Sequence, residues 1–91
     1  MYKATIEYPQ PRLRDVVVAI EVWDLVGYVT ALLVSHTRDT LHSNIQHNIL
    51  QLTKKADIHG WGVYTFTLSR LGENTDVTVR VVDTTHPGYE E

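Results

Sequence analysis

Asp15–Ser35, DVVVAIEVWDLVGYVTALLVS, is the longest apolar run in the chain and the densest in β-branched residues. A helix, a membrane span and a pair of adjacent strands are the three ways to read it, and the fold follows from the choice. As a span, its apolar residues from Val16 to Val34 favour insertion by roughly 3–7 kcal/mol together, while Glu21 and Asp24 near the centre each oppose it by about 2.5–3.5 kcal/mol. The balance is near zero, so the stretch belongs to a folded domain.

Within it, Asp15–Trp23 reads as a strand. Val16, Val17, Val18, Ile20 and Val22 are stiff at χ1 and suit a pleated surface better than a helix. A helix here would also place Arg12 and Arg14 at its positive end. Alternation sets Val16, Val18, Ile20 and Val22 on the core side and Val17, Ala19, Glu21 and Trp23 on the outer side. Asp24–Gly27 reads as a turn, and Tyr28–Ser35 as a further strand with Val29, Ala31 and Leu33 on its outer side.

Outward from this stretch, Tyr2–Tyr8 alternates cleanly, with Tyr2, Ala4, Ile6 and Tyr8 opposite Lys3, Thr5 and Glu7. Pro9 and Pro11 stop it, because neither has an N–H for a ladder. Leu41, Ile45, Ile49, Leu52 and Ala56 recur at helical spacing, which predicts an amphipathic helix over about 39–58, capped by Asp39 or Thr40 and ended by Gly60. Trp61–Leu71 and Asp76–Thr84 read as a hairpin with its turn at Gly72-Glu73-Asn74. The expected fold class is α+β: an antiparallel five-stranded sheet (βββαββ) with one helix packed on one face. The alternative is βαβαββ with residues 12–23 helical. Residues 1–84 form a single domain and 85–91 a flexible tail.

The composition narrows the chemistry. No cysteine is present, which excludes disulfides, thiolate zinc sites and a cysteine nucleophile. The formal net charge of −3, with Lys and Arg scattered, makes nucleic acid a poor partner. Arg12, Arg14, Arg38, Lys54 and Lys55 are the residues such binding would use. The N-terminus alternates where a signal peptide would be apolar, so the expected location is cytoplasmic.

Motifs for catalysis or metal binding are weak. His42 and His47 sit about 140° apart on a helix, so they do not converge on a metal. His36, His59 and His86 have no partner spacing. Ser43 and His47 share a face but lack an orienting acid. Glu21, Asp24, Asp76 and Asp83 show no spacing that selects an acid–base pair, and Gly60-Trp61-Gly62 is too short to cradle a phosphate. The expectation is therefore no catalytic residue, no cofactor and no metal.

Two surfaces stand out. One helix cannot cover both sides of a five-stranded sheet, so Val17, Ala19, Trp23, Val29, Ala31 and Leu33, with Lys3, Glu7, Glu21 and Arg80 around them, form an apolar face with a polar rim. The polar face of the helix carries Asn44, His47 and Gln51 and no charge, a composition that tolerates desolvation better than Glu and Lys do. The expected function is a small non-enzymatic protein-interaction domain, an accessory, regulatory or inhibitory protein. Its expected partner is another protein or a second copy in a homodimer, with no membrane.

Overall fold

A computed structural model of the protein describes residues 1–9, 13–36, 42–70 and 73–87, the side chains of 69, 70, 73 and 74 excepted. Six elements follow one another: strands β1 (Tyr2–Glu7) and β2 (Arg14–Ala19), helices α1 (Val22–Val34) and α2 (His42–His59), and strands β3 (Trp61–Arg70) and β4 (Glu73–Asp83). The four strands make one antiparallel sheet in the order β2-β1-β4-β3. Helix α1 packs on β1 and β2, helix α2 on β3 and β4, and the helices pack on each other.

The architecture is α+β as expected, but ββααββ with four strands and two helices replaces βββαββ with five and one. The difference lies in the second half of the decisive stretch. No strand forms over Tyr28–Ser35, and no turn over Asp24–Gly27; both fall in α1. Leu25, Val26, Val29, Thr30 and Leu33 are its buried residues, spaced as one face of a helix. Val22, Leu32 and Val34 flank that face partly buried, so helical and alternating patterns were superimposed on one apolar run. Asp24 sits in the first turn, where a carboxylate suits the positive end of the dipole. Among the described residues no helix is long and apolar enough to cross a membrane.

The alternative with residues 12–23 helical also fails. Arg14–Ala19 is a strand paired with β1 at all six positions, from Tyr2 opposite Ala19 to Glu7 opposite Arg14. This register decides which side chains are inside. Ala4 lies opposite Val17 on one side and Val81 on the other, and Ile6 lies opposite Asp15 and Val79. Ala4, Ile6, Val79 and Val81 are fully buried beneath the helices. Directly opposed residues share a face, so Val17 and Ala19 point to the core and Val16 and Val18 point away from it.

Helix α2 runs from His42 to His59, and the expected caps Asp39 and Thr40, with Leu41, lie outside the described residues. Ile45, Ile49, Leu52 and Ala56 form its buried stripe. Gly60 ends the helix with φ 94°, a conformation natural to glycine, and its N–H donates to the Ala56 carbonyl at 2.8 Å. The expected hairpin turn at 72–74 is shifted, because Glu73 and Asn74 already pair with Arg70 and Ser69. Thr85, at the start of the expected tail, donates from its N–H and hydroxyl to Asp83 Oδ1 at 3.1 and 2.7 Å.

Two glycines play opposite parts. A Cβ at Gly62 would meet Lys55 Cβ at 3.1 Å and the Leu52 carbonyl oxygen at 3.2 Å, so Gly62 lets α2 approach β3 closely. A Cβ at Gly27 would meet nothing within 4 Å, although glycine inside a helix costs about 0.5–1 kcal/mol relative to alanine. Chemical denaturation of Gly27→Ala should show a gain of about 0.5–1 kcal/mol. Gly62→Ala should lose about 1–3 kcal/mol by overpacking the helix against the strand.

Candidate protein-interaction face

Alternation along four antiparallel strands divides their side chains between two faces, and both helices lie on the same one. Neither helix covers the opposite face, the open face of the described residues. Its residues follow from the register. Val18, Lys3, Val82 and Trp61 form one row across β2, β1, β4 and β3, and Val16, Thr5, Arg80 and Val63 form the next. Arg14, Glu7, Thr78 and Thr65 form a third.

The face is unequal along its length. In the first two rows Val16 and Val18 are 51% and 55% exposed, and Trp61 and Val63 are each 38% exposed. Ile20, just past β2, is 73% exposed, and Met1 is exposed beside it at the end of the sheet. Only Val82 is shielded, at 4%, between its neighbours Lys3 and Trp61. Apolar ridges on the two edge strands therefore flank a strip holding Lys3, Thr5 and Arg80. The Arg80 guanidinium stands over the Trp61 ring, 5.1 Å from its centroid, a cation–π arrangement that orients both.

The third row and beyond is polar and internally matched. Glu7 lies directly opposite Arg14. The Thr65 and Thr78 hydroxyls lie 3.3 Å apart, and Thr67 donates to Asp76 Oδ1 at 2.9 Å. Such cross-strand pairs need no further partner.

The residues expected to form the interface are spread over three places. Val17, Ala19, Val29 and Leu33 are turned into the core: Val17 is half-buried, and the other three are buried beneath or within the helical layer. The parity assigned to β2 was inverted. Alternation separates the two sides of β2 but does not say which is inside, and the strand's pairing with Ala4 and Ile6 decides its orientation. Glu21 and Trp23 are exposed at the β2–α1 junction, with Trp23 at 71%, and Ala31 is exposed on α1. Asn44, His47 and Gln51 are exposed on α2. Lys3, Glu7 and Arg80 do lie on the open face. Val16, Val18, Ile20, Trp61 and Val63 were not among the expected interface residues; nothing in the sequence marks the first three, because both sides of β2 carry valine.

Two tyrosines elsewhere make contacts that tie elements together. Tyr2 donates to Asp57 Oδ1 at 2.5 Å and ties β1 to α2, and Tyr8 donates to Asp15 Oδ2 at 2.6 Å across the β1–β2 connection. The Tyr8 ring also packs against His36, with centroids 4.6 Å apart. Partial burial, then the hydrogen bond to Asp57, pushes the Tyr2 phenol up to about 12. Burial and the bond to Asp15 push the Tyr8 phenol up as well. Among the described residues no three His, Asp or Glu side chains gather as a metal cage.

Compared with known proteins, the chain matches no family model, and no curated protein or solved structure matches it significantly. Function rests on the geometry alone.

A phenol with a raised folded pKa contributes stability in full below its unfolded value of 10.0, and that contribution is lost as pH rises through about 12. Denaturation curves at intervals from pH 8 to 12 should therefore show stability falling above pH 10. Tyr2→Phe should cost about 0.5 kcal/mol at pH 8, the low end for a hydrogen bond because the pair is exposed, and should flatten part of that alkaline fall.

Proposed function

We propose that the protein is a non-enzymatic interaction domain that receives another protein on the open face of its sheet. One observation carries the reading: Val16, Val18, Ile20, Trp61 and Val63 stand exposed together on a face that neither helix covers. Exposed apolar side chains scattered singly need no explanation, but here two apolar ridges on one uncovered face flank a polar strip, an arrangement that suits an interface. Burying each of these side chains contributes on the order of 1.5–3 kcal/mol, so covering the set is a real driving force for association.

The chemistry of the site fits recognition better than catalysis. In the apolar half of the face the polar groups are Lys3, Thr5 and Arg80, a set with no carboxylate or imidazole to act as a base on the Thr5 hydroxyl. Trp61 and Arg80 belong to the two residue types enriched at binding hot spots, and they are neighbours here.

Site-specific photo-crosslinking in cells that naturally make the protein tests this. A benzophenone side chain at position 18 or 63 should give a discrete protein adduct, and one at Gln51 or Asn44 on α2 should not. Val16→Asp together with Val63→Asp should abolish the adduct while leaving the thermal unfolding midpoint within a few degrees. Equal adducts from both sides of the molecule, or none from the sheet face, would overturn the reading.

A further inference from the structure

Among the described residues the sheet has two outer edges, β2 and β3. An edge strand presents N–H and C=O groups ready to pair, and folded proteins blunt such edges with lysine, proline or a bulge. Strand β2 carries none of these: it reads RDVVVA in unbroken register with β1, and its only charges are Arg14 and Asp15. Its outward groups follow from one bond. The Tyr8 N–H donates to the Leu13 carbonyl at 3.3 Å, so position 13 bonds toward β1. Bonded and non-bonded positions alternate along an antiparallel pair. Asp15, Val17 and Ala19 therefore also bond toward β1, while Arg14, Val16 and Val18 turn their N–H and C=O groups outward.

The helical layer above this edge is apolar as well. Helix α1 packs against α2 along one flank, where Val26 and Thr30 are buried. At about 100° per residue, Tyr28 and Leu32 fall on the other flank, above the outer edge of β2. Tyr28 is 56% exposed there, and Leu32 is partly buried. The β3 edge differs, because the α2 residues beside it are Lys55 and His59, which share a recess with Trp61, Gly62 and Val63.

The β2 edge is complementary to itself. Opposed residues of paired strands share a face, so two β2 strands related by a two-fold axis pair about a residue. With that axis at Val17, Val16 of each copy lies opposite Val18 of the other, and both have outward backbone groups to exchange. Asp15 falls opposite Ala19 and Arg14 opposite position 20, so no like charges meet. The helices fit the same geometry. Each α1 covers β1 and β2, and two strands span about 9.6 Å. The two copies of α1 are thereby set at the roughly 8–10 Å of packed helices, with Tyr28 and Leu32 between them. From position 13 to position 20 the edge runs about 26 Å, and sheet and helix together stand about 20 Å tall. The product is on the order of 500 Å² per copy, about 1,000 Å² in all, which reaches the size of a specific interface.

We propose that the protein forms a two-fold homodimer through its β2 edge and the Tyr28–Leu32 flank of α1. Antiparallel pairing of β2 with its twin joins two four-stranded sheets into one continuous sheet. Val16 and Val18 of both copies then make a single apolar band at the centre of the enlarged open face. The pairing uses the strand edge and the helix flank, so it stands or falls independently of the partner proposed for the face.

Sedimentation equilibrium on the purified protein tests it. A concentration-dependent dimer is expected, and a chain that stays monomeric up to about 1 mM overturns the proposal. Val18→Pro removes an outward N–H and no bond to β1, so circular dichroism should stay native while the dissociation constant rises about 10-fold or more. Tyr28→Glu, on the helix flank and away from every ladder, should raise it in the same way. The chain has no cysteine, so Val17→Cys makes a specific trap. Its thiol meets its twin at the axis, and oxidation should give a covalent dimer on a non-reducing gel. Val63→Cys, on the opposite edge strand, should not. A dimer that survives both Val18→Pro and Tyr28→Glu overturns the proposal. Faster crosslinking through Val63→Cys than through Val17→Cys overturns it too, and assigns the dimer to β3.

Discussion

Strand β1 hydrogen-bonds on both edges, to β2 and to β4, and this double pairing is the constraint on which the rest of the structure depends. With Ala4 fixed between Val17 and Val81, and Ile6 beside Val79, the inner face of three strands is set at once. A slip of one residue in either pairing would turn Val16 and Val18 inward and expose Val17 and Ala19, because side chains alternate with a period of two. Ala4 is small and central, which leaves room above it for the helices to bury Leu25, Val29, Ile45 and Ile49 against the sheet.

The helical layer is then matched to that face. Helix α1 presents two adjacent rows, Leu25–Val29–Leu33 and Val26–Thr30, which fill the space above β1 and β2 and contact α2. Helix α2 is drawn onto β3 by Gly62 and leaves through Gly60, so the chain turns from helix to strand within one or two residues. The bond from Tyr2 to Asp57 ties the central strand to the last turns of α2. Close packing on one side leaves the other side of the sheet without a helical layer, since among the described residues ββααββ supplies helices between the two hairpins and none outside them.

The proposed function rests on that side. An antiparallel sheet tolerates water on one face when that face is polar, as it is from the Arg14–Glu7 row onward. The rows above it are apolar on both edges and cationic in the middle. A folding domain has no reason of its own to keep Val16, Val18 and Ile20 in water, and the exposed Trp61 beneath Arg80 points the same way. The energetic cost of that exposure is recovered only when something covers it.

The amino-acid sequence by itself favoured a strand over Arg14–Ala19 and determined β1, the buried stripe of α2 and the stop at Gly60. Each carries one unambiguous period or one glycine with a specific backbone role. Tertiary structure alone decided α1 and the identity of the open face. In Val22–Val34 nearly every position is apolar, so the periods of strand and helix coexist and only packing against the sheet and α2 selects between them. In Arg14–Ala19 the period was plain but its phase was not. Both sides carry valine, and a strand has no intrinsic inside; Val17 faces the core because Ala4 is its partner. Val17 and Ala19 of the expected interface went to the core for that reason, and Val16, Val18 and Ile20, their immediate neighbours in the chain, are exposed instead.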